Sequence, residues 1–232
     1  MVETIIVGGG SAGCVLAHRL SARSGHRVLL CEAGRDIPPG REPRDIADWY
    51  WVPAYLNPAY QWPELRAVPT AGSLPRKFEQ ARVMGGGSAI NAQMANRGSP
   101  EDYEEWVRRG ARGWAWADVL PYFRKLERDL DCDGPLHGKK GRIPVSRVFP
   151  PEWSGHAQAL AEAWRAQGYE FLPDQNGEFR DGYFAIAFSN AQEHRVTAAT
   201  GYLDEATRGR ENLTIAADTH VTGLLFEGRR CV

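Results

Sequence analysis

The run Thr4-Ile5-Ile6-Val7-Gly8-Gly9-Gly10-Ser11-Ala12-Gly13 decides how the rest of the chain is read. An apolar run ends there in a Gly-x-Gly-x-x-Gly turn, and an amphipathic segment carrying Val15, Leu16, Ala17 and Leu20 follows. A second apolar run, Val28-Leu29-Leu30-Cys31, ends in an acid, Glu32, 19 residues after Gly13. Strand, glycine turn, helix, strand and acid in this register make the dinucleotide-binding fingerprint. Gly8 permits the tight strand-to-helix turn, Gly10 lets the backbone approach a pyrophosphate, and Gly13 lets the helix pack closely on the strand. The helix start at Ser11 and Ala12 offers amide donors and a positive dipole end to phosphates. Glu32, followed by Ala33, can accept hydrogen bonds from a ribose hydroxyl pair, and its charge repels a 2′-phosphate. The spacing predicts FAD or NAD rather than NADP; the fingerprint alone does not separate the first two.

Composition narrows the class. A chain of 232 residues with 43% hydrophobic content suits one large domain or two small ones around a real core. A formal net charge of -1 leaves no electrostatic footprint for nucleic acid or an anionic membrane. The expected ligand is a small molecule. No apolar run of about 18 residues spans a bilayer, and a first strand beginning at Glu3 leaves no room for a signal peptide, so the expected location is cytoplasmic. Cys14, Cys31, Cys132 and Cys231 form no CxxC or Cys/His cluster, which predicts neither a metal site nor a disulfide framework. Cys14 falls in the first turn of the nucleotide helix and reads as a small residue packed under the turn.

Residues 34–81 are rich in proline, with Trp49, Trp51 and Trp62 interleaved. The stretch is expected to be an ordered excursion serving as a lid or a dimer contact. Then Gly85-Gly86-Gly87-Ser88-Ala89 repeats the pentapeptide of residues 8–12. A second glycine turn opening a short helix gives a second set of backbone amides, with Arg82 beside it, and two such turns can grip one pyrophosphate from two sides.

Residues 4–32, the run Arg82 to Gly98, then Ser99-Pro100-Glu101-Asp102-Tyr103-Glu104-Glu105-Trp106 and Gly113-Trp114-Ala115-Trp116 resemble the glucose-methanol-choline (GMC) family of FAD-dependent alcohol oxidoreductases. Asp174-Gln175-Asn176-Gly177 with Asp181-Gly182-Tyr183-Phe184 resembles its branch of 5-hydroxymethylfurfural oxidase and aryl-alcohol oxidases. The resemblance implies FAD rather than NAD. Without a histidine between residues 82 and 98 the FAD is expected to be non-covalent. It implies an α/β fold: a Rossmann-like FAD-binding domain over 1–150, part of an antiparallel-sheet (α+β) substrate domain over 151–211, and a return to the FAD domain over 212–232. It also implies that Gly85 and Gly86 grip the nucleotide, that Asn91, Ala92, Gln93 and Met94 line the flavin, and that Val221 sits against adenine. The chain departs from the family's usual Ser, Met and Tyr at Gly87, Gln93 and Ala95.

The remaining segments carry ordinary signals. Ser99, Pro100 and Asp102 start a helix running to Arg109. Residues 118–126 form a helix whose aromatics belong to a core face. Asp129-Leu130-Asp131-Cys132-Asp133-Gly134 lacks most calcium ligands and reads as a solvated loop. Strands are expected at 142–148, 183–189, 213–217 and 221–226, and helices at 154–167 and 197–206. The family's catalytic histidine lies in a second half, and none of the six histidines here matches it. No catalytic residue is assigned. Two readings follow: the FAD-binding half of an enzyme oxidising a primary alcohol, aromatic or furanic, with oxygen or another acceptor; or a catalytically silent FAD-binding subunit. The first expects a partner in the second half, because a sheet without its remaining strands leaves an edge bare.

Overall fold

A computed structural model describes residues 2–231. They form two compact units, 2–92 with 194–231 and 93–193. The sequence expects boundaries at 150/151 and 211/212, whereas the compact units part at 92/93 and 193/194.

The first unit opens with β1 (Thr4–Val7), α1 (Ser11–Leu20) and β2 (Val28–Cys31). β1 and β2 pair in parallel, Thr4 opposite Val28 and Val7 opposite Cys31. Ile6, Val28 and Leu30 are buried, as are Cys14 and Ala17 of α1, so the apolar stripe of the helix closes one face of the sheet. Residues 34–81 then contribute α2 (Arg44–Ala47), α3 (Val52–Leu56) and a hairpin of β3 (Arg66–Ala67) and β4 (Arg76–Lys77), before α4 (Gly87–Ile90). The stretch contributes a packing layer, with Trp49, Tyr50, Leu56 and Leu74 more than half exposed beside it. Ile37, Ile46, Ala54 and Tyr60 share one core cluster with Val83, Ala89 and Ile90, on either side of the second glycine turn. The prolines stop the long elements, and the apolar side chains between them still find a core.

The second unit contains α5 (Pro100–Arg108), α6 (Trp116–Leu126), β5 (Glu127–Asp129), β6 (Ile143–Val145), α7 (Gly155–Ala166), β7 (Phe171–Leu172), β8 (Tyr183–Phe184) and β9 (Asn190–Ala191). The cap at Ser99 is as read: its hydroxyl accepts from Asp102 N–H, and the Asp102 carboxylate accepts from Ser99 N–H. At the start of α7 the Ser154 hydroxyl accepts from Ala157 N–H. The expected core face of α6 is corrected: none of its residues is buried, and Tyr122 is 70% exposed. Helical periodicity specifies an apolar face, not the element that covers it. The strand expected over 183–189 survives only as β8, followed by bridges of Phe188 to Met94 and Ser146.

The chain returns through β10 (His194–Arg195), α8 (Ala198–Tyr202), α9 (Glu205–Arg208) and β11 (Leu213–Ala216), then a terminal hairpin of β12 (Phe226–Glu227) and β13 (Arg230–Cys231). The single helix expected at 197–206 is two helices, because Thr197 and Asp204 each cap their own. β11 pairs in parallel with β2, Leu213 opposite Val28, giving a sheet ordered β1-β2-β11. The strand expected at 221–226 is absent up to Leu225: Leu224, Leu225 and Phe226 stand more than half exposed. β1 forms an edge of the sheet, and its Ile5 and Val7 are likewise more than half exposed. Among the described residues no helix is long and apolar enough to cross a membrane.

Candidate nucleotide site

The site is assembled where the two glycine turns meet. The residues after β2 run beside those entering the second turn: Arg35 bridges Val83 in parallel, and Met84 N–H donates to Arg35 O at 3.0 Å. That alignment brings Gly85 to the first turn, where its N–H donates to Gly9 O at 2.7 Å. The backbones then touch. A Cβ on Gly86 would lie 2.6 Å from Gly10 Cα, and one on Gly9 would lie 2.4 Å from the Met84 sulfur. A Cβ on Gly13 would lie 1.9 Å from Gly8 O, so α1 presses against the turn that starts it. Gly8 itself has φ +93°, the left-handed region that glycine enters without cost.

Glu32 is 6% exposed and braces the first turn. One carboxylate oxygen accepts from Gly9 N–H at 2.7 Å and the other from Gly34 N–H at 2.8 Å. Each oxygen keeps a lone pair for a further donor such as a hydroxyl. Ser11, Ala12 and Gly13 form the first turn of α1, whose N–H groups have no acceptor within the helix. Cys14 is buried beneath them; its thiol donates to Gly9 O at 3.1 Å, and burial pushes its pKa up to about 12. It is a packing residue.

A cavity of about 350 Å³ opens between these elements, walled by Gly8, Gly10, Glu32, Ala33, Gly86 and Val221, with Gly87, Trp62, Thr219 and His220 beside them. Five of the sequence-named residues from three separate segments, and Val221 from a fourth, thus meet at one place. Arg82 does not wall it: its Nε–H donates to Ala33 O at 3.1 Å, and its guanidinium lies 5.1 Å from the centroid of Trp62, which meets His220 edge-on. Gly85 serves through its bond to Gly9. Asn91 and Ala92 follow α4, while Gln93 and Met94 open the second unit. There Gln93 has φ 61° and its carbonyl accepts from Ser189 N–H at 2.8 Å. Sequence reasoning missed Gly9, Met84, Trp62 and His220. The third glycine of the triplet was the available signal for Gly9; nothing local pointed to the others.

The second unit holds a charged construction. Arg147 donates two bonds of 2.9 Å to the Asp129 carboxylate, and both side chains are fully buried. His137 Nε2 lies 2.7 Å from Asp174 and Nδ1 lies 3.0 Å from Asp129; Arg97 pairs with Glu127. The carboxylates of Asp129, Asp174 and Glu127 around its ring push His137 up to about 11, which favours the imidazolium. Burial works against ionising Asp129, yet the bonds from His137 and Arg147 hold it well below the usual carboxylate range. The loop expected to be solvated is therefore pinned at its first residue. Ligand atoms of Asp129, Cys132 and His137 come within 4.8 Å of one another, but the adjoining guanidinium and imidazolium oppose a cation there.

A parallel sheet with a glycine turn at the helix N-terminus and a buried acid one strand later defines a dinucleotide-binding protein of the Rossmann-like class. Comparison with known proteins narrows the class. The family model described as GMC oxidoreductase matches residues 2–232, and the chain belongs to that family, whose members are FAD-dependent flavoproteins. The chain is 47% identical to 5-(hydroxymethyl)furfural oxidase of Methylovorus sp. (strain MP688), an alignment covering 97% of this chain and 44% of that protein. It is 36% identical to mitochondrial choline dehydrogenase of Homo sapiens, covering 98% and 39%. Among solved structures it is similar to pyridoxine 4-oxidase from Mesorbium loti, with TM-score 0.89, 35% identity, and 100% and 45% of the two chains covered. The chain spans less than half the length of these relatives.

Proposed function

We propose that this chain is the FAD-binding half of an oxidoreductase acting on a primary alcohol, aromatic or furanic, located in the cytoplasm and working with a second half or a completing subunit. The observation that carries it is the backbone contact of two glycine turns at one cavity closed by Glu32. The fit to FAD is good: glycine keeps the wall at backbone level, free helix amides face phosphates, and Glu32 keeps acceptor capacity for ribose hydroxyls. In this reading Gly8, Gly10, Ser11, Ala12, Gly13, Gly85 and Gly86 hold the pyrophosphate. Glu32 and Ala33 hold the ribose, Val221 the adenine, and Asn91, Ala92, Gln93 and Met94 line the flavin. Arg82 supports the site through Ala33. Bound FAD would accept the hydride of the alcohol and pass the electrons to oxygen or another acceptor. The alcohol proton requires a base, and this chain supplies none that we assign. The 47% identity to 5-(hydroxymethyl)furfural oxidase supports the substrate class.

The test is the visible spectrum of the purified chain with FAD, under anaerobic conditions, before and after an aromatic primary alcohol. A flavin band that bleaches only when the second half is supplied, and a flavin freed by denaturation, are expected. No flavin uptake overturns the reading. Bleaching by the chain alone would place a base within it, and flavin retained after denaturation would make the linkage covalent. The silent-subunit reading predicts a band that never bleaches.

A further inference from the structure

Arg195 is a cation without an anion. The residue is 4% exposed, and no carboxylate among the described residues pairs with it. Its bonds go to carbonyls and an amide oxygen. Nε–H donates to Ile46 O at 2.9 Å, and Nη1 donates to Ser88 O at 3.2 Å, Asn91 O at 2.7 Å and Asn91 Oδ1 at 3.1 Å. Nη2 is buried and finds no acceptor among the described residues.

These acceptors have one thing in common. Ile46 lies in the last turn of α2, and Ser88 and Asn91 lie in and directly after α4. The final carbonyls of a helix have no partner within it and carry the negative end of its dipole. Arg195 thus closes the C-terminal ends of two short helices at once. Single turns carry less than the roughly half charge of a long helix, so positive charge is left over. Burial without a counter-charge draws the guanidinium down to about 10, still protonated at neutral pH. A buried charge and a buried donor without partners are costly features that a fold keeps for a reason.

α4 is the helix that the second glycine turn opens, and Gly86 and Gly87 at its start line the cavity. Asn91 stands about 6 Å further along, at 1.5 Å per residue. We propose that Arg195 is a positioning residue of the flavin end of the site: it fixes Asn91 through both of its oxygens, and its unbalanced charge favours the electron-rich, reduced state of the bound flavin. The proposal rests on the reading that Asn91 lines the flavin. None of its bonds goes to Glu32, Ala33 or Val221, which wall the other end of the cavity.

The experiment uses the full chain freed of nucleotide, with FAD and ADP as probes, and compares wild type, Arg195→Lys and Arg195→Met. FAD affinity should fall about tenfold in both variants, the loss of roughly one charge-assisted hydrogen bond, with ADP affinity unchanged. The reduction potential of the bound flavin should drop in Arg195→Met and stay near wild type in Arg195→Lys, which keeps the charge without the fork. Parallel losses of FAD and ADP affinity would show a merely structural role and overturn the proposal, as would a potential that does not move in Arg195→Met. If Arg195→Met does not fold, Arg195→Lys decides alone: FAD affinity lowered with ADP affinity intact supports the proposal, and both unchanged overturns it. A wild-type chain that binds neither probe overturns the nucleotide reading itself, a failure visible before any variant is made.

Discussion

The glycine end of the first unit and the ion cluster of the second are both buried polar constructions, built by opposite means. At the glycine end the working groups are backbone amides and carbonyls, and a single acid, Glu32, braces them. In the cluster the working groups are side chains: Arg147 and His137 neutralise Asp129 and Asp174, and Arg97 answers Glu127. The first leaves donors and lone pairs turned toward a cavity; the second turns its charges on one another. The two constructions thus differ in how charge is met, by backbone groups at the glycine end and by opposite charges in the cluster. Arg195 belongs with the first by this measure, since carbonyls and an amide oxygen, not carboxylates, meet its charge.

The comparison predicts where the protein breaks. The largest effect should come from the cluster: Arg147→Met takes the guanidinium from the buried Asp129 carboxylate and leaves it His137 and the backbone N–H groups of Asp131 and Cys132, at a cost of about 3–5 kcal/mol read from urea denaturation. Adding Asp129→Leu should recover much of it, and a single variant as stable as wild type would show that the pair does not hold the unit.

A smaller loss with a different signature is expected at the glycine end. Gly86→Ala places a Cβ 2.6 Å from Gly10 Cα at a residue with φ +56°, which costs about 1–3 kcal/mol through overpacking. It should also weaken FAD uptake, measured by titration of flavin fluorescence. Gly25→Ala, whose Cβ meets nothing within 4 Å, should change neither. Equal behaviour of the two variants would mean that the glycine turns do not need their contact.

The cluster should also shape stability against pH. His137 rises from 6.5 unfolded to about 11 folded, so its contribution is complete below pH 6.5 and fades as pH climbs through about 11. Asp129 is depressed below 3.8, so its contribution is complete above that value and is lost only in strong acid. The urea midpoint should therefore decline from pH 6.5 toward alkaline pH, and His137→Gln should flatten that limb. The smallest effect is expected on the surface. Glu101 pairs with Arg108 in solvent, and Glu101→Gln should leave the melting curve where it is.

Much of the candidate site at the glycine turns was legible because it is local. A turn that needs φ +93° at Gly8, a Cβ-free Gly13 and an acid at the end of the next strand are demands on neighbouring residues, and they write themselves into a short pattern. The repeated pentapeptide at 85–89 announced a second turn but not its contact with the first. The cluster had no such signature. Arg97, Glu127, Asp129, His137, Arg147 and Asp174 are spread over 78 positions, the interval from 97 to 174, and each alone reads as a surface charge.

By itself the sequence determined the β1-α1-β2 unit, its ligand class, the cap at Ser99, and membership of an FAD-dependent family. Only the tertiary structure decided that the proline-rich excursion contributes to a core under the second turn, and that no residue of α6 is fully buried. It also decided that Asp129 is buried and that Arg195 caps two helices. The physical reason is range. Turn geometry and capping are settled within a few residues, whereas burial and charge pairing depend on which distant segments arrive, and that is known only once the chain has folded.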